Sequence, residues 1–88
     1  MLRVWGKEFK DNRMLRDFVA ENEVKDTYTN RVLSCLEEIC VEFDLSKPVW
    51  FEKNIRDFQR ASKTRFTADN FIDSIDFDYL ELQVIEED

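Results

Sequence analysis

The 88-residue chain reads as an α+β domain: a β-hairpin, two helices and a last strand, in the order ββααβ, with a three-stranded sheet covered on one face by both helices. Three observations predict this. "RVWGKEF" and "RMLRDFVAENE" are rich in branched and aromatic residues and flank the turn-prone "KDN"; apolar residues recur at helical spacing from 27 to 44; and "IDFDYLELQVI" alternates apolar with acidic residues.

The hairpin strands are placed near 2–9 and 13–21, because Asp11 and Asn12 tolerate the dihedrals of a tight turn. "ENEVKDT" ends the second strand and offers Asp26 or Thr27 as a helix cap. Tyr28, Val32, Cys35, Leu36, Ile39 and Phe43 then fall on one helical face, which Leu33 and Cys40 widen, while Glu37, Glu38 and Glu42 stay opposite. "LSKP" breaks this pattern, since Pro48 disfavours helical geometry at Lys47. A second helix is expected from about Asn54 to Ser62, with residues 48–52 as an extended lead-in and Asn54 as its cap. Thr67 can cap one further turn in "TRFTADNF".

In the last strand, Leu80, Leu82 and Val84 share one face, with Phe77, Tyr79 and Ile85 on the other. The unbroken aliphatic row is expected to face the helices and pack on Leu36, Ile39 and Phe43. Most acids of this segment therefore belong to a strand, and only Glu86, Glu87 and Asp88 resemble a tail.

One domain, residues 1–88, is the reasonable count at this length, and 43% hydrophobic content with a single Gly and a single Pro excludes a disordered composition. The net charge of −7 is banded: residues 1–16 carry +3, 17–52 carry −6, 53–65 carry +4 and 69–88 carry −8. Pairing of the acidic last strand with the basic hairpin would account for the banding without a partner. The overall sign argues against broad, nonspecific DNA binding. Cys35 and Cys40 read as core thiols, and with no export signal and no apolar run of membrane-spanning length the chain is expected to be cytoplasmic.

Catalytic signatures are missing from the sequence. No histidine can complete a Ser or Cys triad, one glycine cannot make a phosphate-cradling loop, and the carboxylates Asp73, Asp76, Asp78 and Glu81 lack the spacing of a calcium loop. No enzyme activity, cofactor or metal is expected. Two other groups carry the functional expectation. On a continued helix Lys53, Arg56, Arg60 and Lys63 fall within about 80° of one another, forming with Arg65 and the nearby Trp50 a basic ridge able to contact phosphates or an acidic partner. Phe51, Ile55 and Phe58 occupy a separate arc expected to face the core. Trp5, Phe77 and Tyr79 are expected to remain on the uncovered sheet face, where aromatics favour an interface.

The segments "DNRMLRDFV", "LEEICVEFDLSKPVWF", "RFTADNFI" and "IDFDYLELQVIEED" together resemble, nearly end to end, a group of small acidic bacterial proteins. The resemblance implies a bacterial, cytosolic protein and brings no activity or site residues with it. The leading expectation is a non-enzymatic protein-interaction module or homodimeric adaptor. The alternatives are nucleic-acid binding through 53–65, or an acidic DNA mimic that occupies a partner's basic groove.

Overall fold

The computed structural model describes all 88 residues, in the order β1 (Leu2–Lys10), β2 (Arg13–Asn22), α1 (Tyr28–Glu42), α2 (Glu52–Ala61), β3 (Lys63–Thr67), a 3-10 turn (Ala68–Asn70) and β4 (Tyr79–Glu86). The sheet is antiparallel with strand order β2-β1-β4-β3. It has four strands where the sequence predicts three, and the element order is ββααββ.

The additional strand, β3, replaces the expected continuation of the second helix. Ser62 ends α2 in the left-handed conformation (φ 55°), donating its N–H to the Phe58 carbonyl, and its own carbonyl already accepts from Val84 N–H of β4 at 2.9 Å. Glycine is the usual residue for that conformation, so a serine there gives no stop signal. Beyond it, Thr64 and Phe66 are buried while Lys63, Arg65 and Thr67 are exposed, the alternation of a strand.

Elsewhere the local signals act as expected. Asp11 and Asn12 both take positive φ (52° and 64°), which suits the two-residue turn of a right-twisted hairpin. Thr27 caps α1 by accepting from Asn30 N–H at 3.2 Å, and Thr67 precedes the 3-10 turn. The helix α1 ends at Glu42, and Asp44 just beyond its cap is again left-handed (φ 55°), with Leu45 N–H returning to the Cys40 carbonyl at 2.8 Å. Arg16 reaches from β2 to the end of this helix, donating to the Phe43 carbonyl at 2.8 Å while holding the buried Glu8 through two bonds of 2.8 and 3.1 Å.

The two helices share one face of the sheet but divide it. α1 lies across β2 and β1, and α2 lies against β3. Close approach of α1 requires Gly6, because a Cβ there would stand 2.5 Å from Ile39 Cγ2. Leu80 and Leu82 are fully buried on the helix side with Val84 partly buried beside them, so β4 has the expected register. They join Leu36, Ile39 and Phe43 in a single core of 14 buried residues.

Asn54 holds α2 to the sheet. It is not the cap itself: it lies inside the first turn, is 4% exposed, and its carboxamide accepts from Phe51 N–H and Asn70 Nδ2 while donating to Thr64 Oγ1 and the Arg65 carbonyl. Asn70 in turn accepts from Thr67 N–H and donates to the Val49 carbonyl. Two side chains thus satisfy backbone groups of edge strand β3 and the start of α2 together.

The acidic strand β4 lies between the basic strands β1 and β3. This order pairs the carboxylates of β4 with cations on both neighbouring strands. Lys7 meets Glu81 at 2.8 Å, Arg65 meets Glu81 at 3.1 Å, and Arg3 approaches Glu86 at 3.8 Å. Glu87 and Asp88 fold back on α1, where Tyr28 Oη donates to Glu87 at 3.1 Å and Arg31 forms a two-pronged bridge to Asp88. No helix is long and apolar enough to cross a membrane.

Candidate functional site

The basic ridge divides between two surfaces. Lys53, Arg56 and Arg60 are exposed on α2, whereas Lys63 and Arg65 belong to β3 and project on the sheet face opposite the helices. Asp57 collects Lys53 at 2.8 Å and Arg60 at 3.3 Å, and the Lys53 hydrogen bond is the main cause of its carboxyl lying below the usual range. Arg65 is bound to Glu81. Three of the five cations are therefore paired inside the chain, and only Arg56 and Lys63 lack an ionic partner. The single 80° phosphate-binding arc expected from the sequence does not form, because the chain turns from helix to strand at Ser62.

The open sheet face gathers two of the three expected interface aromatics. Register places Val19, Trp5, Gln83 and Lys63 in one cross-strand row, Asp17, Lys7, Glu81 and Arg65 in the next, and Phe9 beside Tyr79 beyond it. Phe77 is a correction: it precedes β4, is 6% exposed, and packs edge-on against Phe71 at 6.2 Å in the core. Strand alternation extrapolated back to residue 77 fails because pairing in β4 begins only at Tyr79.

This face is internally satisfied. Trp5 Nε1 donates to Asp17 at 2.8 Å. The Lys7 ammonium, buried although no helix covers it, contacts Glu81 at 2.8 Å, Gln83 at 2.9 Å and the Trp5 ring at 3.9 Å. Tyr79 stacks on Phe9 at 5.1 Å and carries the Arg65 guanidinium 4.5 Å from its ring centre, so both neighbours occupy surface that a base or partner would need. Burial works against ionisation of Glu81, yet the hydrogen bonds from Lys7 and Arg65 prevail and its carboxyl titrates below the ordinary 4.5.

The helix side is different. A cleft of about 760 Å³ lies between α1 and α2, walled by Tyr28, Val32 and Leu33 on α1 and by Ile55 and Phe58 on α2. Trp50 lines it as well, packed edge-on against Phe58 (5.6 Å) and Phe66 (5.0 Å), with a buried indole N–H that has no hydrogen-bond partner in the chain. Leu33, Tyr28, Ile55 and the adjacent Phe51 are each more than 40% exposed. Phe51 and Ile55 thus correct the expectation that their arc faces the core; only Phe58 packs against it. The one advance sign of the cleft is the width of the α1 stripe, since Leu33 is apolar at an angle the sheet cannot cover.

The remaining chemical candidates are dispersed. Asp78 accepts from Asp11 N–H at 2.9 Å, bracing the hairpin turn; Asp76 lies near Arg16; Glu81 is on the open face. No group of three or more metal-ligating side chains forms. Both cysteines are buried, and burial raises the Cys35 thiol and pushes Cys40 up to about 11, leaving both protonated at neutral pH. No known family model, curated protein or solved structure matches the chain.

Proposed function

We propose that this protein is a non-enzymatic interaction module whose partner surface is the cleft between α1 and α2. The observation that supports the reading is the exposed apolar lining itself: Leu33, Ile55 and Tyr28 stand exposed around Trp50 on the two helices that wall the cleft. Contiguous apolar surface of this kind marks an interaction site more often than scattered single residues do. A protein segment seated there would bury this exposed apolar lining, at about 25 cal/mol per Å² of apolar area.

Quantitative affinity purification of the tagged protein from its native cells, alongside Ile55→Glu and Tyr79→Ala variants, tests the proposal. Retention of a partner, either another protein or untagged copies of this chain, is expected to disappear with Ile55→Glu and to survive Tyr79→Ala. Loss with Tyr79→Ala alone would move the partner surface to the open sheet face and contradict the proposal.

A further inference from the structure

The apolar cleft does not end at Trp50. A second depression, of about 450 Å³, shares Leu33 and Trp50 with it and adds Asp26, Glu37 and Lys47, so a segment lying over Leu33 reaches both. Glu87 lines the first, held at its edge by the Tyr28 hydroxyl at 3.1 Å. Asp26, Glu37 and Glu87 are all exposed, and none of them takes part in an ion pair. Lys47 is the one cation in the combined lining. The α2 cations lie outside it, with Lys53 and Arg60 already held on Asp57. Resting on the proposal that the cleft is the partner surface, we infer that its occupant is a basic amphipathic segment of another protein, its apolar residues over Leu33 and Ile55 and its Lys or Arg side chains beside these carboxylates.

Apolar lining and carboxylates ask for different parts of one occupant. Amphipathic segments laid in a groove bind through apolar anchors on one side, and the charges that flank those anchors decide which segment is accepted. An exposed carboxylate in open water gains little from a cation, but a segment seated on the apolar lining displaces water beside Glu37 and Glu87 and strengthens each pair. The field of the whole molecule acts in the same sense, because a net charge of −7 draws a basic segment toward the groove. The same charge repels nucleic acid, an anionic membrane and a second copy of the chain, which would bring its own carboxylates to the contact. Local lining and overall charge therefore agree on the sign of the occupant.

Selection from a random displayed peptide library on the intact chain, with depletion on the Ile55→Ser variant, tests the inference. The enriched peptides are expected to carry net positive charge around apolar residues at helical spacing. Fluorescence anisotropy with one such peptide, synthesised and labelled, should show affinity falling as salt rises and falling about 10-fold in Glu37→Gln with Glu87→Gln. Glu38→Gln with Glu42→Gln, the same change of charge on α1 but outside the lining, should weaken binding by less than about 2-fold. Circular dichroism and thermal melts confirm that every variant is folded. Equal losses from the two charge pairs would reduce the attraction to overall charge and overturn the inference. Ile55-dependent peptides that are neutral or acidic, or Ile55-dependent self-association of the chain, also overturn it while keeping the cleft as partner surface. Absence of any Ile55-dependent binding removes both.

Discussion

The open sheet face and the inter-helix cleft both expose aromatic and aliphatic side chains, yet they differ in what those side chains lack. On the sheet face Trp5 has Asp17, Lys7 has Glu81, Gln83 and the Trp5 ring, and Tyr79 has Phe9 and Arg65. In the cleft Leu33 and Ile55 are each more than 40% exposed, and the Trp50 indole N–H has no hydrogen-bond partner. Visibility to solvent is thus a poor guide to an interface: a half-exposed aromatic whose ring faces or polar atom are already engaged offers a partner little. What identifies the cleft is unmet packing.

The largest effect is expected at the centre of the sheet face. Glu81→Ala would leave the Lys7 ammonium, whose side chain is 8% exposed, without its carboxylate, and removal of one member of a buried pair costs about 3–5 kcal/mol. Urea denaturation should show that loss, whereas a small decrease would mean that the face is wetter and less organised than described. Replacing Lys7 and Glu81 together by Met and Leu should recover most of it.

Acid probes the same pair with a smaller effect. The Glu81 carboxyl titrates below its ordinary 4.5 in the folded protein, so its contribution is complete above about pH 4.5 and is lost as pH falls through the lower, folded value. Denaturant midpoints measured from pH 6 down to pH 3 should therefore fall more steeply for the wild type than for Glu81→Gln. Equal slopes would remove Glu81 from the acid response.

Tyr79→Ala sits lower on the scale. Loss of its stacking on Phe9, of Arg65 above its ring and of part of its buried area should cost about 1–2 kcal/mol in the monomer while leaving association unchanged. The sequence alone suggests the reverse pattern, with Tyr79 idle in the monomer and active at an interface. Smallest of all is Ile55→Ser, expected to alter monomer stability by no more than about 0.5 kcal/mol, as for a surface position, and to act only on association. Chemical denaturation of dilute samples would expose a larger cost, which would place Ile55 in the core after all.

Much of this architecture is legible in the residues because local and global signals agree. The aliphatic row Leu80, Leu82, Val84 specifies its buried side, Asp11-Asn12 specifies the turn, and Thr27 with the Val32 to Phe43 stripe specifies α1. Strand β3 escapes notice because Ser62 adopts a glycine-like conformation and because five residues are too few for alternation to outweigh the helical pattern before them. The Asn54 and Asn70 network is invisible for another reason: its partners, Val49, Phe51, Thr64, Arg65 and Thr67, are spread along the chain, and a buried asparagine looks like a surface one until they converge. The cleft itself depends on how far apart the sheet holds two helices, which no single segment encodes. Trp50 is read from the sequence as a site residue, but beside cations; in the structure its company is apolar.

The two tryptophans place one reporter on each surface, Trp5 on the sheet face and Trp50 in the cleft. Their two indole N–H signals in a ¹⁵N-resolved NMR spectrum, assigned with Trp5→Phe, can be followed through a dilution series from about 1 mM to about 10 μM, the range over which a weak dimer dissociates. Where the partner is a second copy of the chain, the Trp50 signal is expected to shift with concentration while the Trp5 signal stays in place. A shift of Trp5 with Trp50 unmoved would contradict the account, since it would mean that the internally satisfied face, and not the unpacked cleft, is where this protein meets its partner.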